Sequence, residues 1–194
     1  MITLSTEHGF PFWLGWATLL RGWALATQGQ DEVSIRQIHK GLDILRATGS
    51  GVGWTAALTM LAEAYGKVGQ VEEGLTALAE ALAFVDKTEE RVWEAELYRL
   101  RGELTLQQFK VQSSRFKIEE EAEACFLKAI EISKKQQAKS LELRAATSLA
   151  RLWQQQGKQE AAHKLLSDVY NWFTEGFDTK DLREARTLIE ELSD

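Results

Sequence analysis

The chain has little cysteine, little proline and little histidine, and each scarcity removes a class of protein. Cys125 is the only cysteine among 194 residues, so an internal disulfide is impossible and an oxidising compartment is not implied. The only proline, Pro11, stands near the N-terminus. Everything after it is rich in Ala, Leu, Glu, Gln, Lys and Arg, the strong helix formers. Runs of β-branched residues bounded by turn residues, the mark of strands, are missing. The three histidines, His8, His39 and His163, share no ligand spacing with one another or with Cys125, so no metal site is expected. A basic footprint is also lacking. Net charge is −6; residues 1–54 are neutral, 55–93 carry −4, 94–139 carry +1 and 140–194 carry −3. Nucleic acid is therefore not an expected partner.

Long hydrophobic runs are limited to one. Phe10 to Ala26 reads FPFWLGWATLLRGWALA, too short to span a bilayer and interrupted by Arg21. Glu7 and His8 stand where a secretory leader would carry basic residues. A protein of the cytoplasm, without membrane contact, is expected.

What the chain does have is long-period self-similarity, which is sought before any local motif. Gly22, Ala62, Gly102 and Ala150 are small residues closely following a leucine, at steps of 40, 40 and 48. With that anchor as position eight of a repeat, position eleven holds Leu25, Tyr65, Thr105 and Trp153. Position fifteen holds Gly29, Gly69 and Gly157, each in a polar turn where glycine can end a helix in the left-handed conformation. Position twenty is small (Ser34, Gly74, Ala122, Ala162) and position twenty-four large (Ile38, Leu78, Phe126, Leu166). Position twenty-seven holds Gly41, Ala81, Ala129 and Val169. Antiparallel helices approach closely when a small side chain on one faces a large one on the other. The third repeat fits only with about eight extra residues near Phe109–Ile118, a length usual for a functional or mobile connection.

An all-α fold follows: a superhelical solenoid of about four helix pairs with a C-terminal capping helix, forming one repeat domain over residues 1–194. The pairs are expected at 13–47, 54–86, 91–136 and 140–173. The cap is expected at 179–192, started by Asp178 or Thr179, with Lys180, Arg183, Glu184, Glu190 and Glu191 on a polar outer face. The small-large-small code resembles the tetratricopeptide repeat, although the period of 40 exceeds its usual 34. HEAT-like repeats of about 40–47 residues are the structural alternative.

Four further patterns call for chemistry and fail its requirements. Thr48–Gly53 (TGSGVG) lacks the Gly-Lys-Ser/Thr ending of a phosphate loop and follows a helix, so it reads as a flexible inter-repeat loop. Glu119, Glu120, Glu121 and Glu123 read as first-turn acids that suit the helix dipole, and Lys134, Lys135 and Lys139 as cations at a helix C-terminus. Cys125 reads as a small packed residue, because a reactive thiol needs an electropositive, exposed setting. No catalytic residue and no cofactor site is assigned, and no enzyme activity is expected.

The C-terminal half carries a more specific signal. The strings AELYRLRGEL (Ala95–Leu104), EAEACFLKAIEIS (Glu121–Ser133), AKSLELRAATSLARLW (Ala138–Trp153) and VYNWFTEGFDTKDLREA (Val169–Ala185) resemble one family. It is the C-terminal tetratricopeptide-repeat region of bacterial multidomain signalling ATPases, predicted ATPases or adenylate/guanylate cyclases. His8–Gln30 (HGFPFWLGWATLLRGWALATQGQ) resembles the same region. The insertion near Val111–Lys117 departs from that family's compact turn. The ATPase and cyclase motifs are absent from this chain, so the resemblance implies an interaction, sensor or scaffold module and neither activity. A free-standing peptide-binding adaptor or assembly chaperone is the alternative.

In tetratricopeptide arrays the first helix of each pair lines the concave face. Mapped here, the resemblance gives Trp16, Leu19 and Trp23, then Thr59, Glu63 and Lys67. It continues with Glu96, Arg99 and Glu103, and ends with Arg144, Thr147, Arg151 and Gln155. The expected partner is a protein or peptide with one hydrophobic anchor and mixed charges. Trp16 and Trp23 could instead pack on an upstream helix or on a second copy, since Phe10, Phe12 and Trp13 crowd the same apolar end. Self-association through that end is the second expectation.

Overall fold

The chain forms ten helices and no strand among the described residues. The computed structural model describes residues 1–29, 31–108 and 115–193, with Asp31 and Glu32 described by their backbone alone. It divides into two compact units, Met1–Arg91 and Val92–Asp194, each taken here by itself.

The first unit holds α1 (Ile2–Glu7), α2 (Pro11–Thr27), α3 (Asp31–Ala47), α4 (Trp54–Lys67) and α5 (Val71–Thr88). Pro11 opens α2, where its missing N–H costs nothing. Gly69 ends α4 at φ 77°, and the Gln70 amide donates back to the Tyr65 carbonyl at 2.9 Å. That pairing satisfies a carbonyl the helix end would otherwise orphan. Helices α2 and α3 pack almost backbone to backbone. A methyl group at Gly22 would lie 2.7 Å from the amide nitrogen of Ile38 and 2.8 Å from the carbonyl oxygen of Ser34. Positions eight, twenty and twenty-four therefore meet inside one repeat, as the small-large code requires. The core is Leu19, Ile38, Leu42 and Leu45 in the first pair, and Leu58, Ala62, Leu78 and Ala81 in the second.

The second unit holds α6 (Glu94–Gln107), α7 (Arg115–Lys135), α8 (Lys139–Gln155), α9 (Gln159–Tyr170) and α10 (Lys180–Ser193). Phe126 of α7 is fully buried over Gly102 of α6, again position twenty-four on position eight. Ala122, Ala129, Ala146, Ala150 and Ala162 are all sealed from solvent. Helix α10 packs against both α8 and α9, just as α8 packs against α6 and α7. It thus occupies the place of the first helix of a further repeat.

Several sequence expectations shift. Helix α1 was not expected; its six residues pack on α2, and its end is marked by Gly9 at φ 66°. The excursion placed at Phe109–Ile118 is shorter on its C-terminal side, because Arg115 already begins α7; residues 109–114 lie outside the described residues. Glu119, Glu120, Glu121 and Glu123 consequently sit beyond the first turn of α7, so the helix dipole does not explain them. Glu119 instead accepts from Arg115 Nε at 2.6 Å and from Gln156 Nε2 at 3.1 Å, while Glu123 pairs with Lys158 at 3.5 Å. The expected flexible loop at Thr48–Gly53 is packed only at its C-terminal end, with Gly49, Gly51 and Val52 exposed. Gly53 caps α4 at φ 74°, and a Cβ there would stand 2.5 Å from the indole of Trp16.

Candidate functional site

In the first unit, the residues mapped to the inner surface are spent on one another. Leu19 and Thr59 are buried, and the Thr59 hydroxyl donates to its own helix at the Thr55 carbonyl, 2.7 Å away. Trp23 donates its indole N–H to Glu63 Oε2 at 2.8 Å, and Lys67 pairs with Glu63 Oε1 at 2.9 Å. Lys67 also stands 5.8 Å above the Trp23 ring, close enough for a cation–π attraction. Trp16 lies over Gly53. Both tryptophans therefore pack on the following helix pair and stay half-buried. Further toward the N-terminus, Leu4, Phe10 and Trp13 are exposed, as are Leu20, Val33 and Val52 elsewhere in the unit.

The second unit contains a buried ionic network at the same repeat positions. Arg99 grips Glu96 with two hydrogen bonds, Nε to Oε2 at 2.9 Å and Nη2 to Oε1 at 2.6 Å, and extends Nη1 to Glu103. From α8, Arg144 Nη2 reaches Glu96 Oε1 at 2.9 Å, and the Ser148 hydroxyl donates to Glu103 Oε1 at 2.9 Å. The side chains of Glu96 and Arg99 are only 3% and 7% exposed. Such charges tolerate burial because each carboxylate and guanidinium is matched in geometry and sign. Thr147, buried beside them, bonds to its own helix at the Leu143 carbonyl. The Glu96 and Arg99 rungs of the ladder read as a ligand surface are thus internal, and Glu103 and Arg144, 36% and 30% exposed, form its edge.

Beyond that edge the second unit opens into a groove between α8 and α10 of about 510 Å³. Arg151 and Gln155 line one wall; Lys180, Arg183, Glu184 and Glu191 line the other. Arg151 pairs with Glu184 at 3.2 Å across the gap, and Lys180 reaches the same carboxylate at 3.6 Å. Arg183 is exposed and has no ion-pair partner among the described residues. Arg151 and Lys180 so share the one carboxylate of Glu184, in a groove that Arg183 and Glu191 also line. Lys180, Arg183, Glu184 and Glu191, read from the sequence as the outer face of a cap, belong to this inner groove. A sequence signal for it exists: Ala185, fully buried, follows Leu182 and repeats the small anchor residue once more after Ala150.

The remaining reactive candidates are quiet. Burial holds the Cys125 thiol above its ordinary pKa, which opposes thiolate formation. His39 Nε2 contacts the Tyr65 hydroxyl at 2.7 Å. No group of three or more His, Cys, Asp or Glu able to hold a metal occurs among the described residues. No helix among them is long and apolar enough to cross a membrane.

No family model matches the chain, and no curated protein does. Solved structures do. A Podosopora anserina protein assigned as a kinesin light chain, with nearly identical TPR-like repeats, superposes with a TM-score of 0.67 at 18% identity, covering 94% of this chain and 86% of its own. A single-substitution variant of that protein gives 0.65 at 18% identity, covering 94% of both chains. At that identity the likeness concerns the fold, which is all-α and tetratricopeptide-like.

Proposed function

We propose that the chain is a protein–protein interaction module without catalysis of its own, and that the α8/α10 groove receives a polypeptide segment of mixed charge. The carrying observation is the contrast between two sets of cations. Arg99 is consumed by internal pairing, whereas Arg151 and Arg183 stand at a groove with unspent donor capacity. Arginine forks of this kind bind carboxylates with two parallel hydrogen bonds and dominate many interfaces. The tetratricopeptide-like fold supports a protein partner.

The strings from Ala95 to Ala185 that resemble signalling-ATPase repeat regions support a more specific reading. In it, the module acts in the cytoplasm as the sensor or scaffold part of, or partner to, such an ATPase or cyclase. A free-standing adaptor is the alternative, and the neighbouring genes separate the two. The exposed Leu4, Phe10 and Trp13 support self-association as a further element of this reading.

The test compares capture by the wild-type chain with capture by the Arg151→Ala/Arg183→Ala double variant. A protein retained by the first and lost from the second, at equal thermal stability, supports the groove. Equal retention by both chains removes it.

A further inference from the structure

A second groove of the second unit lies on the opposite partner helix, along α7 and the turn that joins α8 to α9. It encloses about 790 Å³ and is lined by Phe116, Glu119, Glu120, Glu123, Leu127 and Lys158, with Arg115 and Gln156 at its sides. Phe116 and Leu127 are 72% and 46% exposed, an unusual outlay of apolar surface for one helix face. They are eleven residues apart on α7, three turns and about 16 Å of helix axis, so they bracket the groove. Between them run the carboxylates. Glu119 is held by Arg115 and Gln156, and Glu123 by Lys158, which leaves Glu120 unmatched among the described residues. The groove therefore has two apolar seats and a surplus of acceptor capacity, with its cations already engaged.

We propose that this face of α7 docks a basic amphipathic helix of a partner protein. Its apolar side chains sit on Phe116 and Leu127, and its lysines or arginines face Glu120 and the flanks of Glu119 and Glu123. The pattern of such a helix, apolar at i, i+4, i+7 and i+11 with cations between, matches the spacing of seats and carboxylates along three turns. This inference does not rest on the α8/α10 groove, which is basic where this one is acidic and shares only Gln155 with it.

The experiment uses the full chain and a fluorescein-labelled leucine/lysine amphipathic peptide of about four turns, read by fluorescence anisotropy. The peptide is expected to bind, to bind less as salt screens the carboxylates, and to bind at least about tenfold more weakly to Phe116→Ala/Leu127→Ala. Both side chains are solvent-facing, so an unchanged melting curve for this variant shows that the fold persists. Glu120→Lys should weaken binding similarly, whereas Glu80→Lys on α5, the same charge change elsewhere, should not. Arg151→Ala/Arg183→Ala should bind the peptide as wild type does. Three results overturn the proposal: no binding of the peptide to the wild-type chain, equal binding of a leucine/glutamate counterpart, or equal losses in Glu120→Lys and Glu80→Lys.

Discussion

Phe126 on Gly102 states the packing rule of this protein at the scale of one residue. A Cβ at Gly102 would lie 2.5 Å from the Phe126 ring, so Gly102→Ala forces the two helices apart or the ring out of its rotamer. Overpacking of this kind costs about 1–3 kcal/mol, and Ala129→Leu and Ala162→Leu, at fully buried positions, should cost as much. Thermal melts check all three, and unchanged midpoints would mean that the repeat register is wrong. Arg99 behaves differently from the exposed ligand residue that its sequence pattern suggests. Removing its guanidinium leaves Glu96 buried and half matched, so Arg99→Ala should destabilise by about 3–5 kcal/mol. Gln137, held at φ 55° where α7 turns into α8, should gain about 1 kcal/mol from Gln137→Gly, since the left-handed conformation strains side chains with a Cβ. The raised thiol of Cys125 predicts slow alkylation by iodoacetamide near pH 8, with a rate that climbs only above the range of a free cysteine.

Among the elements, α10 carries the clearest consequence. Its buried Leu182, Ala185, Leu188 and Leu192 close the core made by α8 and α9, so truncation after Asp178 should lower the melting temperature and expose dye-binding apolar surface. A truncated chain as stable as the whole would show that α10 is dispensable. Limited trypsin digestion probes the other end of the unit. Cleavage is expected at Lys110, Arg115 or Lys117 before any site within α8 or α9, and protection there would mean that the start of α7 is firmly packed.

The helices themselves were legible because small and large residues recur at fixed offsets, and each offset corresponds to a contact such as Gly22 with Ile38. The buried network was not legible. Glu96, Arg99 and Glu103 are spaced three and four apart, which reads as a solvated helix face because charged residues are seldom buried. The burial of Glu96 and Arg99 follows from α8, whose Arg144 reaches Glu96 and whose Ser148 reaches Glu103, and neither carries a local mark in the sequence around Glu96. Trp16 and Trp23 pose a similar problem: an aromatic at an inner position looks like a ligand seat, and only the fold shows Trp16 against Gly53 and Trp23 bonded to Glu63, both half-buried. The α8/α10 groove is not legible from the four anchors that end at Ala150, because Ala185 follows at a step of 35 and not 40 or 48.

For the whole molecule, the tetratricopeptide-like fold suggests polypeptide partners, and the two units offer different faces to them. The first keeps its inner aromatics for itself and exposes Leu4, Phe10 and Trp13. If these drive self-association, light scattering should show a mass that rises with concentration in the wild type and falls back in Trp13→Ser. The central claim is that the α8/α10 groove binds a polypeptide through Arg151 and Arg183. Its most direct measurement is a calorimetric titration of the captured partner's segment into the wild-type chain and into Arg151→Ala/Arg183→Ala. The account predicts a loss of at least about tenfold in affinity, near 1.4 kcal/mol, with the melting temperature unchanged. Equal affinity for the two chains would contradict it.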